Sequence, residues 1–281
     1  MSVLPRLAVG LLMLHAVSAH AIHFDVSISL DNGPVAGSKL ITGAFGDLPF
    51  NTQPFDHLTG HALFPGDFGD FEGGPKSTDD PGFQAFAGAL SGSAGARDYI
   101  GFRALGTLQQ WTPSTGTWTT ADSGVGVRLF GAVPPAVANA YLQSLVNPMF
   151  APPGAAAAFN LYSAGTLFTG SGITGPVTAT IDDAGSNGAF HAHLDWYIEG
   201  AAASGAYMVT LQLTDDASIG GRGLYVDSDP FQVVFNYGLS AAQYEIAFLA
   251  RALAPVPEPA SWMAMLAGLC LCAAAARRMR S

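Results

Sequence analysis

Phe190-His191-Ala192-His193-Leu194-Asp195-Trp196-Tyr197-Ile198-Glu199 alternates apolar and polar side chains along its length. Successive side chains of an extended chain point to opposite faces, so Phe190, Ala192, Leu194, Trp196 and Ile198 share one face. His191, His193, Asp195, Tyr197 and Glu199 share the other. The spacing therefore predicts a strand over residues 189–198 with a core side and a donor side. Two imidazoles at i and i+2 stand about 6 to 7 Å apart along a strand rising roughly 3.3 Å per residue, within reach of one metal ion. Asp195 adds an oxygen donor on that face. The same pattern also suits a half-buried strand whose outer side is merely solvated.

The composition around this stretch points to an all-β class. Of 281 residues, 49% are hydrophobic and only 11% charged, while glycine (34) and proline (18) are abundant, which favours short strands joined by turns over long amphipathic helices. Between the end segments seven basic residues face 21 acidic ones, a formal charge of −14. Such a surface repels phosphate backbones and concentrates cations, so nucleic acid is not an expected partner. The two cysteines, Cys270 and Cys272, lie in the terminal apolar run, so a metal bound by the body must use nitrogen and oxygen.

A second strand of the same design opens the body. Ile22, Phe24, Val26, Ile28 and Leu30 alternate with His23, Asp25, Ser27, Ser29 and Asp31 before an Asp31-Asn32-Gly33-Pro34 turn. Its polar side carries His23-x-Asp25. Brought beside the first strand, it would complete a set of His23, Asp25, His191, His193 and Asp195, suited to one divalent ion and above all to zinc. His57 and His61, spaced i, i+4 between Pro54 and Pro65, form a further candidate pair on a loop or short turn. The acidic run Asp67, Asp70, Glu72, Asp79 and Asp80 lacks calcium-loop spacing and reads as solvated surface.

The remaining body, residues 22–133 and 159–254, reads as a β-rich region followed by an antiparallel, immunoglobulin-like β-sandwich lobe. Strands are expected at 99–108, 116–120, 125–130, 177–181, 207–214 and 231–237. Between the two regions, residues 134–158 are rich in alanine and proline and read as a linker or inserted excursion, with a short helix at 137–146. Ser240-Ala241-Ala242-Gln243 has capping-box spacing, with Tyr244, Phe248 and Leu249 forming the stripe of a docked helix over 240–253. Trp111 and Trp118 read as packing residues, with sugar stacking the alternative.

Both ends read as targeting segments. Residues 1–21 combine Arg6, an apolar run from Leu7 to Leu14 and small residues before cleavage after Ala19 or Ala21, the pattern of an export signal. Residues 255–281 carry Pro257-Glu258-Pro259, an apolar run from Ala260 to Ala276 long enough as a helix to reach about 25 Å, and Arg277-Arg278. This tail resembles the PEP-CTERM sorting signal of Gram-negative bacteria. The resemblance implies an exosortase-type sorting protease as partner, transient inner-membrane anchoring, and delivery to the cell surface or secretion beside extracellular polysaccharide. His23-x-Asp25, His191-x-His193-x-Asp195-Trp196, Gly205-Ala206-Tyr207 and residues 228–236 further resemble zinc-uptake-regulator-repressed PEP-CTERM proteins and surface-anchored His-x-His modules. That resemblance implies zinc capture or storage at the cell surface.

No Gly-x-Ser-x-Gly elbow, phosphate loop or His-Glu-x-x-His helix is present, so binding is expected rather than catalysis. The alternative to metal binding is a structural or carbohydrate-binding component of the polysaccharide matrix.

Overall fold

The structure, a computed structural model, describes residues 24–46, 53–69, 74–92 and 97–253. The export segment, His23 and the tail containing Pro257, Glu258, Pro259, Arg277 and Arg278 lie outside them. Among the described residues no helix is long and apolar enough to cross a membrane.

The chain runs β1 (Phe24–Leu30), β2 (Leu40–Gly46), β3 (Ala62–Phe68), β4 (Ser77–Thr78), β5 (Gly82–Ala85), β6 (Tyr99–Trp111), β7 (Trp118–Thr120), β8 (Val125–Phe130) and α1 (Pro135–Val146). It continues through α2 (Ala155–Ser163), β9 (Thr166–Thr169), β10 (Gly172–Thr174), β11 (Thr178–Asp183), β12 (Phe190–Ala192), β13 (Asp195–Gly200), β14 (Gly205–Thr214), β15 (Phe231–Tyr237) and α3 (Ala241–Ala252). The fold is all-β. Its sheets are ordered β12-β5-β1-β2, β10-β9-β8-β13-β4 and β11-β6-β14-β15-β3, with β7 on β6. Most pairs are antiparallel, and β1 with β5 and β3 with β15 are parallel. Strands from residues 22–133 and 159–254 share all three sheets and one core.

Alternation places that core. Phe24, Val26 and Ile28 of β1 and Tyr207, Val209, Leu211 and Leu213 of β14 are each at most 1% exposed, as period-2 burial on one side requires. On the central stretch, Phe190, Leu194, Trp196 and Ile198 are buried while His191, His193, Asp195 and Tyr197 are exposed. The two-sided reading of residues 189–198 therefore holds, but the single strand does not. The chain leaves the four-stranded sheet after Ala192 and enters the five-stranded sheet at Asp195, because residues 190–192 pair with β5 whereas residues 195–200 pair with β8 and β4.

The excursion over 134–158 forms α1, started by Pro135 at a position where proline's missing N–H is no loss, then a 3-10 turn at Pro148–Phe150 and the start of α2. Tyr141 stacks on Phe159 at 4.1 Å, tying the two helices together. The capping box of α3 is present, with Gln243 N–H donating to Ser240 Oγ and Ser240 N–H donating to Gln243 Oε1. Beneath α3, Ala247 and Phe248 cover Trp111, with Trp118 packed alongside; Trp118 Nε1 donates to the Ala247 carbonyl at 2.9 Å. Trp111 is buried and Trp118 is partly buried against the same cluster, as packing residues are.

Candidate metal centre

The centre is built on the four-stranded sheet, where β5 lies between β1 and β12. Register places Val26, Phe83 and Ala192 in one cross-strand row and Ile28, Ala85 and Phe190 in the next, all directed to the core. Alternation turns the intervening rows outward. One contains Ser27, Gln84 and His191; the other contains Asp25 and Gly82, with His193 just beyond the last paired residue of β12.

A change of sheet shapes this edge. Residues 77–85 and 190–198 run antiparallel, first as β4 on β13 and then as β5 on β12. Thr78 pairs with Trp196 and Phe83 with Ala192, so four residues on one side of the corner face three on the other. That extra residue is the signature of a bulge, which bends a strand and re-aims its side chains. Asp79, Asp80, Pro81 and Gly82 form one side of the corner and His193, Leu194 and Asp195 the other.

The bend makes the two imidazoles converge. His191 Nε2 and His193 Nε2 are 3.0 Å apart, with ring centroids 4.8 Å apart and planes at 54°. Asp25 Oδ2 is 3.3 Å from His191 Nε2, and Asp25 Oδ1 is 3.9 Å from His193 Nε2. Donors about 2.0–2.2 Å from a tetrahedral zinc stand about 3.3–3.6 Å from one another, so these three groups already bracket the spacing of one tetrahedral face. Asp25 is 7% exposed, and its ion partners among the described residues are these two histidines. Burying a carboxylate is costly without a compensating charge, and neutral imidazoles supply little. A dication held among the three groups would supply it.

The other side of His193 is lined with oxygen. Its Nδ1 is 3.2 Å from the Asp79 carbonyl, 3.4 Å from Asp79 Oδ2 and 3.5 Å from Asp80 Oδ1. Asp79, Asp80 and His193 thus form a second group with metal-compatible spacing, sharing one imidazole with the first. The reading of Asp79 and Asp80 as solvated surface is corrected here: Asp80 is 3% exposed and Asp79 is half-buried. Gly82 is the third residue that the sequence did not reveal. A Cβ there would lie 2.4 Å from Asp25 Oδ1 and 2.9 Å from His193 Cε1, so the close packing of carboxylate and ring requires that hydrogen.

Other expected donors lie elsewhere. Asp195 belongs to β13, opposite Phe130, beside a shallow hollow with Tyr197 and Glu199, and joins neither metal-compatible group. The corner separates it from the histidines, since it is the first residue of the next sheet. Glu199 forms a two-point ion pair with Arg128, at 2.5 and 3.0 Å. His57 uses Nδ1 to donate to the Arg251 carbonyl near the end of α3, 2.8 Å away. Neither His57 nor His61 joins a metal-compatible group among the described residues. Their loop is organised instead by Asp56, which is fully buried, accepts from Leu58 N–H and the Thr59 hydroxyl, and pairs with Arg251 at 2.5 Å.

No family model, curated protein or solved structure matches this chain, so the geometry carries the functional reading.

Proposed function

We propose that the protein binds one divalent metal ion, zinc above all, through His191 Nε2, His193 Nε2 and the Asp25 carboxylate, and that it serves zinc acquisition or storage outside the cell. The carrying observation is the 3.0, 3.3 and 3.9 Å convergence of two nitrogens and a buried carboxylate from either side of β5. Two imidazoles and one hard oxygen match zinc's ligand preference, with a fourth position left for water or for His23. His191 is 50% exposed in its side chain, which gives an ion a route in and out. We read the site as binding rather than catalytic: the sequence carries no hydrolase or phosphate-loop motif, and Glu199, on the same stretch as the histidines, is held by Arg128 beyond the corner. For the cellular setting we propose export through residues 1–21 and exosortase-type sorting at Pro257-Glu258-Pro259.

The test is metal analysis and calorimetry on protein purified without a histidine tag. The parent should bind one zinc per chain, and His191→Ala combined with His193→Ala should abolish binding while leaving the thermal midpoint of the metal-free protein nearly unchanged. A double variant that binds zinc as well as the parent refutes the site.

A further inference from the structure

We infer that Asp79 and Asp80 are positioning residues that fix the tautomer and ring orientation of His193 for a single ion, and that they do not hold a second ion of their own. The inference rests on the metal-binding reading of Asp25, His191 and His193. It deepens that reading by saying which protons the centre must carry.

His193 Nδ1 faces three oxygen atoms, from the Asp79 carbonyl, Asp79 Oδ2 and Asp80 Oδ1, and the carbonyl contact at 3.2 Å has hydrogen-bond geometry. A ring nitrogen surrounded by acceptors keeps its proton. In a neutral imidazole the other nitrogen is then an unprotonated acceptor, so His193 Nε2 presents a lone pair toward His191 and Asp25. This is the tautomer a metal needs at Nε2, fixed by the backbone acceptor on the far nitrogen with two carboxylate oxygens close beside it, an arrangement that orients metal-bound histidines generally. With His193 in its Nδ1–H form, the 3.0 Å approach of His193 Nε2 to His191 Nε2 is a hydrogen bond in which His191 Nε2–H donates. His191 Nδ1 has no hydrogen-bond partner among the described residues. The proton can therefore move to that nitrogen when an ion arrives, at little cost.

A second ion held by Asp79, Asp80 and His193 Nδ1 would demand the opposite tautomer. The N–H would then sit on Nε2, pointing into the space between His191 and Asp25, and would close the first site. A neutral His193 can serve one group or the other. The nitrogen-rich group suits zinc better, and the hydrogen bond to the Asp79 carbonyl already occupies Nδ1.

The experiment combines zinc calorimetry with nitrogen-15 NMR of the metal-free, full-length protein. The parent is expected to bind one zinc and to show the Nδ1–H pattern at His193. Asp79→Ala with Asp80→Ala should keep the one-ion stoichiometry, weaken zinc binding about 10- to 100-fold and reduce, without abolishing, the Nδ1–H preference of His193, since the Asp79 carbonyl remains. Asp79→Asn with Asp80→Asn keeps acceptors in place and should recover part of both, and it also serves if the alanine pair fails to fold. Two zinc ions per parent chain, or loss of zinc in the asparagine pair with retention in His191→Ala, would overturn the inference. An Nε2–H pattern at His193 in the metal-free parent would overturn it independently of any metal. By contrast, a parent that binds no zinc but shows Nδ1–H at His193 sinks the proposed function and leaves the tautomer assignment standing.

Discussion

Gly82→Ala tests the centre without touching any donor. Its Cβ would stand 2.4 Å from Asp25 Oδ1, 2.9 Å from His193 Cε1 and 3.1 Å from His193 Nδ1, whereas ordinary contact begins at 3.4 Å. The carboxylate must therefore retreat by roughly 1 Å and the ring by roughly 0.5 Å, against a tolerance of about 0.2 Å in metal–ligand distances. Zinc affinity should fall at least tenfold, the scale on which misorienting a ligand is felt. Stability should fall by about 0–2.6 kcal/mol. Gly82 does not have a positive φ, so alanine brings no backbone strain, and the about 0.4–1 kcal/mol gained from a stiffer unfolded chain opposes an overpacking cost of about 1–3 kcal/mol. Gly43→Ala is the matched control in the same sheet, since its Cβ would meet only the movable hydroxyl of Ser27 at 2.8 Å. Calorimetry and thermal melts of both variants decide the matter. If Gly82→Ala binds zinc as tightly as Gly43→Ala and the parent, Asp25 and His193 do not act together and the reasoning fails.

Leu194→Ala removes a 6%-exposed side chain from the core and should cost about 2–5 kcal/mol in denaturant unfolding. Tyr197→Ala, on the outer side, should cost about 1 kcal/mol, the scale of its edge-on contact with Phe130; equal losses would contradict the assigned faces. Asp56→Ala strands the buried Arg251 guanidinium and should cost about 3–5 kcal/mol at neutral pH, undocking α3 first. Burial alone would raise the Asp56 pKa, but donation from Leu58 N–H, the Thr59 hydroxyl and Arg251 outweighs it and holds the group below the ordinary carboxylate value. Because the folded value is depressed, this stabilisation is full above the unfolded value of about 3.9 and disappears as pH falls through the folded one. The melting gap between parent and Asp56→Ala should therefore narrow in acid, and a gap that stays constant from pH 7 to pH 3 contradicts the assignment. Mass spectrometry of the protein from a host with an exosortase should find it cut near Pro257-Glu258-Pro259, and an intact tail through Ser281 argues against sorting.

What could be read from the sequence was whatever depends on neighbours in the chain. Alternation predicted β8 and β15 with their observed bounds and the buried side of residues 190–198, because period-2 burial is a local property. The Ser240–Gln243 spacing predicted the start of α3 for the same reason. The break after Ala192 was not legible. Nothing within 189–198 interrupts its pattern, and the break arises only because β5 and β4, more than a hundred residues earlier, pair with its two halves in different sheets. Asp79 and Asp80 were misread for the same reason. A run of carboxylates in a loop looks solvated until a partner 114 positions away is placed against it. Asp195 shows the converse error, since its periodicity was right but the sheet it joins was not.

The corner explains why this edge, among many polar strand faces, can gather an ion. On an uninterrupted strand, i and i+2 side chains stand roughly parallel and about 6 to 7 Å apart, and a sheet gives them no reason to converge. Here the chain turns out of one sheet at His193, so the two rings tilt to 54° and their Nε2 atoms close to 3.0 Å. The same turn ends the β12–β5 ladder before His193, and the Asp79 carbonyl on the opposite side of the corner accepts the imidazole N–H instead. One bend thus aims the two imidazoles at each other, places the Asp79 carbonyl against His193 Nδ1 and leaves Asp25 buried beneath them while His191 faces solvent. A buried Asp25 with an exposed His191 would let the proposed ion be taken up and surrendered without unfolding the sheet, because the core rows through Phe83 and Ala85 are packed without it.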